Sequence, residues 1–455
     1  MTQLLIIGGS DAGISAALRA KELDPTVKIS MVVADRFPNF SICGLPFYLS
    51  GEVRNWRDLA HRTKAEIEEQ GIHLLLNHNA EEIVAKKKTV RVKDPNGSPL
   101  ELKFDKLVIA TGAVSARPDI RGIELPGVFS LRWMSDSFAL QKYLEDNAPQ
   151  SAVVIGGGYI GMEMADAFTY RGLNVSVVEF ASSVLTTVDP DFSQEISAEL
   201  KRNGVQVFNG VTAREITRTE GKLIITDSEG FKLSADLVLV AAGCKPNIDL
   251  AVATGIKTGN HGAIKVNRKM ETNKEDIYAA GDCVETWHNL LAENLYLPLG
   301  TTAHKQGRIA GENAIGGDRE FPGSLGTQVV KIFDTVIART GLRDEEAARA
   351  GFDALSADLE TWDHKVYYPG AKKMRIRITG DRNSKQLLGA QMTGSYQTEV
   401  SKRIDVFATA LFHRMKVEDL NDLDLSYTPP LSSPWDPIQM CAQAWVKYLL
   451  SDEGS

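Results

Sequence analysis

The feature of this sequence that most constrains its fold is a strand–turn–helix–strand pattern that occurs twice. In the first copy, the apolar residues 4–7 predict a buried strand that leads into the small, glycine-rich residues 8–13. A helix rich in alanine and leucine is predicted over 14–23 and a second strand over 27–33, and Asp35 lies just past the end of that strand. Such a unit is a complete βαβ element of a parallel sheet.

The second copy repeats this order near the middle of the chain. A strand is predicted over 153–155, a glycine-rich turn over 156–161, a helix over 162–170, and a second strand over 175–178 that ends at the acid Glu179. An internal repeat of a whole βαβ unit predicts an α/β protein with two Rossmann-like dinucleotide-binding domains.

Each glycine-rich turn can bring backbone N–H groups close to a pyrophosphate, at the positive end of the following helix. The candidate dinucleotide-binding residues of the two turns are Gly8, Ser10, Gly13, Gly156, Gly158 and Gly161. Ser10 takes the middle-glycine position of the first turn and keeps a small side chain. The acids at the strand ends, Asp35 and Glu179, can accept hydrogen bonds from ribose hydroxyls. Glu179 favours NADH over NADPH, because its charge would repel a 2′-phosphate.

Two further segments echo each other, and a third is a landmark of its own. Short apolar strands that end in small residues are predicted within 105–112 (DKLVIATG) and 236–243 (DLVLVAAG), and the third segment is 277–282 (IYAAGD). The candidate residues at their ends are Thr111, Gly112, Gly243 and Asp282.

The pattern changes from about residue 326 onward. Strand-like runs occupy 328–333, 374–379 and 387–392, and a helix-like stretch follows over 400–415. We therefore expect a third domain of the α+β type at about 325–455.

Composition and charge argue against several classes of partner. The 455-residue chain has a net charge of −8, which argues against nucleic-acid binding. No apolar run is long enough to span a bilayer, and no leader segment is recognised. The four cysteines are scattered and the eight histidines lack metal-ligand spacing, so neither a disulfide framework nor a metal site is predicted. We expect a cytoplasmic protein that acts on a small molecule.

Cys43 is the candidate nucleophile. The other cysteines, Cys244, Cys283 and Cys441, are distant in the sequence and are expected to be structural, so Cys43 cannot close a short-loop disulfide. Redox chemistry at Cys43 would pass through a mixed disulfide, a persulfide or a sulfenic acid. Pro46 is placed like a first-turn proline, which predicts that Cys43 lies at a helix N-terminus with a lowered thiol pKa.

Taken together, these residues resemble the flavoprotein (pyridine nucleotide) disulfide reductases over essentially the whole chain. The resemblance rests on the two glycine-rich turns, on 110–112, on 278–282 and on the segment 43–48 (CGLPFY). It implies FAD at the first turn and NADH (or NADPH) at the second. Within the family, the likeness is greatest to the single-cysteine branch of coenzyme A disulfide reductases, NADH oxidases and peroxidases, and persulfide reductases.

The resemblance also implies a division of the chain. The FAD-binding domain would be discontinuous and comprise residues 1–118 and 245–324, with the NAD(P)H-binding domain at 119–244 between them. Residues 325–455 would form a C-terminal α+β dimerisation domain.

Roles for single residues follow from the same resemblance. Asp282 would contact the ribityl or phosphate region of the flavin, and Glu163 would lie near the contact between flavin and nicotinamide. In coenzyme A disulfide reductases, tyrosines from the C-terminal domain of one subunit reach the cysteine of the other, which implies a homodimer. Tyr427 matches one of these tyrosines, and either Tyr367 or Tyr368 matches the other.

The candidate substrate contacts are Ser15, Arg19, Glu22, Asn39, His304 and Trp435. Several of them depart from the pattern of the coenzyme A disulfide reductases. Arg19 is kept, but Glu22 stands where a second arginine is common, and Trp435 stands where a lysine often contacts the substrate. Because a phosphate-rich ligand binds poorly where two cations are lost and an anion is gained, we expect coenzyme A disulfide to be a poor substrate.

The sequence therefore indicates an FAD-dependent NAD(P)H:disulfide or persulfide oxidoreductase that acts through Cys43 on a low-molecular-weight thiol compound. One alternative is an NADH oxidase that reduces oxygen, although Ser10 and Asp11 stand where those enzymes usually carry a histidine. A second alternative is a flavin-bound redox sensor with little turnover.

Overall fold

The computed structural model describes residues 2–453, which contain three sheets of five strands. The first sheet is entirely parallel, as its apolar central strands predict. Its strands, in spatial order, are Ile277–Ala279, Lys106–Ile109, Gln3–Ile7, Lys28–Val33 and Ile72–Leu76. The helix Asp11–Leu23 connects the third and fourth of them in that order.

The second sheet repeats this arrangement and is also parallel throughout. Its strands, in spatial order, are Gln206–Asn209, Asn174–Glu179, Ser151–Ile155, Leu237–Val240 and Val128–Phe129. The helix Tyr159–Tyr170 makes the crossover between the two strands of the βαβ unit. The repeated dinucleotide-binding unit predicted from the sequence is therefore confirmed.

A three-stranded antiparallel sheet is inserted into each parallel half, and the sequence analysis does not anticipate either one. The first is formed by Asn79–Val84, Thr89–Lys93 and Pro99–Lys103, and the second by Glu215–Thr219, Lys222–Thr226 and Lys232–Ala235. Each precedes the last inner strand of its half, so the repeat extends beyond the βαβ unit.

The third five-stranded sheet is antiparallel and confirms the predicted C-terminal α+β domain. Its strands, in spatial order, are Gln328–Ile332, Thr335–Gly341, Leu387–Ser395, Lys373–Asp381 and Ala354–Trp362. The helices Val400–Phe412 and Pro437–Glu453 pack against this sheet. Trp445 is buried between helix and sheet, and its indole N–H donates to the carbonyl of Leu355 at 2.7 Å.

Two short ribbons and the remaining helices complete the described residues. The ribbons pair Ala113–Ser115 with Cys244–Pro246 and Thr286–His288 with Glu293–Leu295. The helices are Leu45–Ser50, Lys64–Glu69, Met134–Asn147, Pro190–Arg202, Asp249–Ala253, Gly300–Ala314 and Asp344–Arg349. Within residues 2–453, no helix combines the length and the apolar character needed to cross a membrane.

The helix Gly300–Ala314 lies directly against the helix Asp11–Leu23. A Cβ at Gly307 would come within 2.2 Å of the carbonyl oxygen of Ala12, and a Cβ at Gly311 within 2.1 Å of that of Ala16. These two glycines therefore allow the close helix contact, which brings residues of both helices to the first glycine-rich turn.

Candidate active site

Cys43 lies in a short 3₁₀ turn, Ile42–Gly44, directly before the helix Leu45–Ser50. Gly44 is the N-cap of that helix and Pro46 lies in its first turn, as the sequence predicts. The Cys43 side chain is exposed and forms no disulfide. The position suits a thiol that must meet a soluble substrate.

The surroundings of Cys43 act on its pKa in the direction opposite to the one predicted. Partial desolvation by the surrounding protein raises the pKa of the thiol, the carboxylates of Glu163 and Asp11 raise it further, and Arg132 opposes them. The predicted lowering is therefore wrong for the protein groups alone. One reason is that carboxylates from both glycine-rich halves lie around Cys43 and disfavour the thiolate. Another is that the helix after Cys43 has only six residues, so its dipole offers little stabilisation to the thiolate.

The first glycine-rich turn is a tight backbone cradle. A Cβ at Gly8 would lie 2.0 Å from the carbonyl oxygen of Ala110, and a Cβ at Gly13 would lie 2.0 Å from that of Gly8. Ser10 is the N-cap of the following helix, and its side chain makes no capping hydrogen bond. Asp35 accepts from the backbone N–H of Phe37 at 2.8 Å, and burial raises its pKa. The turn has the geometry that lets backbone approach a pyrophosphate.

A buried ion pair faces the same side of the site as Cys43. Arg132 Nη2 donates to Asp282 Oδ2 at 2.6 Å, and both side chains are mostly buried. The Nε–H of Arg132 is buried and has no hydrogen-bond partner among residues 2–453. An orphaned buried donor fits a ligand rich in oxygen acceptors, so these residues are compatible with the phosphate and ribityl groups of FAD. The sequence analysis missed Arg132, because it lies in no recognisable motif.

The strand-end glycines lie where the chain passes between the two parallel halves. Gly112 and Gly243 have positive φ values of 67° and 93°, and they flank the ribbon formed by Ala113–Ser115 and Cys244–Pro246. Thr111 Oγ1 donates to the carbonyl of Asn247 at 2.7 Å. This hydrogen bond ties the two crossing segments together beside the first turn.

The second glycine-rich turn has the same cradle and a closer acid. A Cβ at Gly161 would lie 2.0 Å from the carbonyl oxygen of Gly156. Gly158 is the N-cap of the helix Tyr159–Tyr170. Glu179 is buried, and its carboxylate accepts from the backbone N–H groups of Gly157 at 2.5 Å and Ala181 at 2.7 Å. The acid is therefore fixed against the turn, where a ribose would bind.

Glu163 lies one helical turn after the start of the helix Tyr159–Tyr170. Burial raises the pKa of Glu163 to about 7, with a further increase from Asp166 and a decrease from Lys331. Glu163 also acts electrostatically on Cys43, so the second half of the molecule reaches the candidate nucleophile. A carboxyl group with a pKa near neutrality can carry a proton at working pH.

The candidate substrate residues on the first helix meet the helix Gly300–Ala314. Ser15 Oγ and His304 Nδ1 are hydrogen-bonded at 2.8 Å, and burial together with Arg308 lowers the pKa of His304. Arg19 is paired with Glu22 at 2.9 Å and with Glu312 at 2.8 Å, so its charge is already neutralised.

Asn39 and Trp435, the other candidate substrate residues, lie on different domains. Asn39 is buried close to Cys43 in sequence, and its side-chain oxygen has no hydrogen-bond partner among the described residues. Trp435 is exposed, and Lys365 Nζ lies over its ring at 4.4 Å from the centroid. A cation therefore lies beside Trp435, a contact that the sequence analysis did not foresee.

The structure gives the two tyrosines between which the sequence does not decide different neighbours. The neighbouring Tyr367 hydroxyl raises the pKa of Tyr427. Tyr368 instead packs edge-on against His364, with ring centroids 5.9 Å apart. All three tyrosines are exposed on the C-terminal domain. Tyr367 and Tyr427 therefore present two neighbouring phenols on one surface.

Comparison with known proteins agrees with this geometry. Residues 2–307 match the family model for the pyridine nucleotide-disulphide oxidoreductases, and residues 327–437 match that family's dimerisation domain. A curated relative from Pyrococcus furiosus, "NAD(P)H sulfur oxidoreductase (CoA-dependent)", is 36% identical over 442 residues, or 97% of this chain and 98% of that protein.

Two solved structures show the same fold. The NAD-dependent persulfide reductase from A. fulgidus has a TM-score of 0.94 and 36% identity, and the match covers 99% of this chain and 84% of that one. The reduced CoADR-RHD from Bacillus anthracis has a TM-score of 0.95 and 30% identity, with 99% and 81% covered. The predicted class of FAD-dependent NAD(P)H:disulfide or persulfide oxidoreductase is confirmed, and the chain belongs to the pyridine nucleotide-disulphide oxidoreductase family.

Proposed function

We propose that this protein uses NAD(P)H to reduce the S–S bond of a small disulfide or persulfide through Cys43. The observation that carries the proposal is the exposed Cys43 thiol, which has no cysteine partner and lies among Glu163, Asp11 and Asp282. These carboxylates come from both dinucleotide-binding halves, so the thiol lies where the two cofactors would meet.

In the proposed reaction, the sulfur of Cys43 attacks the S–S bond of the acceptor. A mixed disulfide forms on Cys43 and the first thiolate leaves. FAD, when bound, would supply the two electrons that NAD(P)H donates as a hydride. Those two electrons cleave the mixed disulfide, which releases the second thiol and regenerates the Cys43 thiolate. One NAD(P)H and one proton are consumed for each disulfide reduced to two thiols.

We assign the cofactor contacts to the two turns. FAD would be held by the small residues of the first turn together with Asp35, Thr111, Gly112 and Asp282. NAD(P)H would be held by the small residues of the second turn together with Glu163, Glu179 and Gly243. The tight cradles and the unpartnered Nε–H of Arg132 support this placement. The same assignment supports an FAD-binding domain of residues 1–118 and 245–324, an NAD(P)H-binding domain of residues 119–244 and a dimerisation domain of residues 325–455. The ribbon of Ala113–Ser115 and Cys244–Pro246 lies at the two places where the chain passes between the first two domains.

The leaving thiolate needs a proton, and we propose that Tyr427 of the partner subunit supplies or orients it. The proposal is supported by the closeness of Tyr367 to Tyr427 and by the match to the dimerisation domain. It implies a homodimer. Tyr368, which packs against His364, would have no part in this step.

The preferred acceptor is a disulfide or persulfide with little negative charge. The support is the pairing of Arg19 with Glu22 and Glu312, which leaves that arginine little capacity for a phosphate. The printed names of relatives point to sulfur, persulfide and coenzyme A chemistry. Cell fractionation would test the expected cytoplasmic location.

The central test compares Cys43→Ser with wild type in two half-reactions. We expect the variant to retain one non-covalent FAD per chain and rapid flavin reduction by NADH, yet to lose disulfide and persulfide turnover. Cys244→Ser, at another partly exposed cysteine, is the matched control and should retain turnover. Near wild-type disulfide reduction by Cys43→Ser would refute the nucleophile assignment.

The same preparation distinguishes the alternative functions. Fast oxygen consumption with a sulfenate on Cys43 would identify an NADH oxidase. A yellow protein without turnover on any acceptor would identify a redox sensor. Intact mass before and after reductant would reveal the adduct that Cys43 carries at rest.

A further inference from the structure

The loop 185–189 of the second half is held in place by the C-terminal domain. Arg339 Nη1 donates to the carbonyl of Thr187 at 2.5 Å, and Arg343 Nη1 donates to that of Val188 at 3.1 Å. Gln391 accepts from the backbone N–H of Asp189 at 2.7 Å and donates to its carboxylate at 2.7 Å. Three consecutive residues of this loop are thus bound to side chains of the C-terminal domain, two of them from its sheet and one from the N-cap of the helix Asp344–Arg349.

Arg339 is the central member of this contact. Its side chain is buried, and Nη2 donates to Glu346 at 2.8 Å and to the carbonyl of Gly341 at 2.5 Å. The Nε–H of Arg339 has no partner among the described residues, but both terminal nitrogens of the planar guanidinium are bound, which fixes its orientation. Arg339 therefore holds the carbonyl of Thr187 at one position relative to the C-terminal sheet.

The other side of the loop contacts the second glycine-rich turn. The backbone N–H of Leu185 donates to the carbonyl of Gly157 at 2.8 Å, and Leu185 has a φ of 46°, which is uncommon for a branched side chain. The hydroxyl of Thr187 donates to the hydroxyl of Tyr159 at 3.1 Å. The loop thus joins the C-terminal sheet to the first residue after the turn.

Tyr159 lies at the start of the helix that carries Glu163, on the proposed NAD(P)H side of the site. It is the first residue of the helix that follows Gly158, and Glu163, one turn later, acts on the ionisation of both Tyr159 and Cys43. Burial raises the pKa of Tyr159, so the phenol stays protonated and its position depends on its hydrogen bond.

We propose that Thr187 and Arg339 are positioning residues for the nicotinamide: they fix the Tyr159 phenol at the NAD(P)H site from the C-terminal domain. The inference rests on the proposed placement of NAD(P)H at the second turn and is independent of the acceptor. It also gives the C-terminal domain a role within its own subunit, besides dimerisation.

The test uses the FAD-loaded protein and the variants Thr187→Val, Tyr159→Phe and their combination. Because one hydrogen bond is worth about 1 kcal/mol, Thr187→Val should slow flavin reduction by NADH about threefold to tenfold. The double variant should be no slower than Tyr159→Phe alone. Oxidation of the reduced enzyme by disulfide should not change. Thr169→Val is the control, because Thr169 bonds only the carbonyl of Ala165 on the same helix.

A second measurement follows the local stability of the loop 185–189 and does not depend on catalytic turnover. Amide hydrogen exchange of the ligand-free protein should be faster at Leu185 and Val188 in Arg339→Lys, by about tenfold, and unchanged over Glu215–Thr226. Arg202→Lys, which alters the pair between exposed Arg202 and buried Glu199 near the far end of the helix Pro190–Arg202, should leave the loop unchanged.

Three results would overturn the inference. The first is that Thr187→Val leaves the rate of flavin reduction unchanged and Arg339→Lys leaves the amide exchange of the loop unchanged. The second is that Thr187→Val slows flavin reduction and disulfide reduction equally. The third is that the double variant reduces its flavin more slowly than Tyr159→Phe alone. If wild type itself fails to reduce its flavin with NADH, the proposed function fails instead, and the two failures are thereby distinguished.

Discussion

The two glycine-rich halves have the same backbone geometry at the turn and differ in the side chains and elements that pack over it. In both, the first glycine of the turn donates to a strand carbonyl: Gly8 to Val32 at 2.9 Å and Gly156 to Val178 at 2.8 Å. In both, the last glycine approaches the first so closely that a Cβ would lie 2.0 Å from its oxygen. The cradle is therefore conserved within the chain, and differences in binding must come from side chains and neighbouring elements.

Matched positions of the two helices carry different chemistry. Counted from the first glycine, Asp11 corresponds to Tyr159 and Ser15 to Glu163. Ser15 is bonded to His304 on the helix Gly300–Ala314, whereas Glu163 lies near Lys331 of the C-terminal sheet. The repeated unit thus supplies the pyrophosphate geometry twice, and the element packed over each helix decides what else the half can do.

The acids at the strand ends are also not equivalent. A Cβ at Gly157 would meet the Glu179 carboxylate, whereas a Cβ at the matching Gly9 would meet Val33. Asp35 lies two residues after Val33 and caps its own loop through the N–H of Phe37. The acid is therefore adjacent to the turn only in the second half, where the proposed NAD(P)H site would have to discriminate between NADH and NADPH.

The strongest test of the comparison alters the matched last glycines one at a time. Gly13→Ala should give protein without FAD, because the added Cβ would lie 2.0 Å from the oxygen of Gly8 and must distort the first turn. Gly161→Ala should give yellow protein whose flavin is reduced by NADH at least about a hundredfold more slowly, equivalent to about 2.7 kcal/mol. Released flavin and stopped-flow reduction measure the two effects.

Alanine at an open glycine serves as the control. A Cβ at Gly158 would meet no atom within 4 Å, so Gly158→Ala should affect the fold far less than Gly161→Ala. If Gly161→Ala loses FAD as well, or if Gly13→Ala retains it, the assignment of one cofactor to each half is wrong.

The acids offer a smaller and more specific effect. Wild type should prefer NADH over NADPH by about tenfold in flavin reduction, since Glu179 would face the 2′-phosphate with about 1.4 kcal/mol of repulsion. Glu179→Ala should narrow that preference to about twofold and weaken NADH binding, because two backbone N–H groups lose their acceptor.

Asp35→Ala is the matched variant in the first half. It should leave the choice between NADH and NADPH unchanged, because Asp35 caps a loop of the other half. Equal or faster reduction of the wild-type flavin by NADPH would contradict the role given to Glu179.

Glu163 predicts a pH effect on the nucleophile. The pKa of its carboxyl is raised to about 7, so the carboxyl is neutral below that pH and anionic above it. Above pH 7 the anion raises the pKa of Cys43, and Glu163→Gln should therefore lower that pKa and speed alkylation at pH 8 by about twofold to threefold.

The measurement is iodoacetamide labelling of the reduced, FAD-loaded protein between pH 6 and 9. The variant should show its largest advantage above pH 7 and none near pH 6. Glu145→Gln, which changes an exposed carboxylate on the helix Met134–Asn147, serves as the control. An advantage that persists at pH 6 would show that charge at Glu163 is not the cause.

The sequence predicted the parts of the fold that depend on local patterns. Apolar runs, glycine-rich turns and the acid at position 179 define both βαβ units because their geometry is set within about thirty residues. The antiparallel sheets were missed, because strands such as Asn79–Val84 and Glu215–Thr219 are half exposed and lack a clear apolar alternation.

Contacts between distant segments could not be predicted from these patterns. The pair of Arg132 with Asp282 and the bond of Thr187 with Tyr159 join residues of different elements, and nothing local marks either partner. The raised pKa of Cys43 has the same origin, since it depends on carboxylates brought together only by folding. The proposed choice of Tyr367 over Tyr368 likewise depends on the position of Tyr427, which only the folded structure shows.

Another expected effect concerns the substrate, on the side of the first helix that has no counterpart in the second half. Glu22 pairs with Arg19 at 2.9 Å and with Arg308 at 3.3 Å, and so withdraws two cations from a phosphate. Glu22→Arg combined with Trp435→Lys should release Arg308, leave Arg19 paired with Glu312 alone, and add two more charges. Turnover of coenzyme A disulfide, measured as kcat/KM, should then rise relative to glutathione disulfide and a small persulfide.

Exposure limits the size of this gain. The Glu22 side chain is 54% exposed and Trp435 is 65% exposed, so water and salt screen the new charges and the increase should be about threefold to tenfold. Lys365, which lies over Trp435, already supplies one cation there, so most of the gain should come from Glu22→Arg alone. If wild type already turns over coenzyme A disulfide best, the presence of Glu22 and Trp435 in place of basic residues does not exclude that substrate. Pairing at Arg19 would then be a resting state that an arriving phosphate displaces.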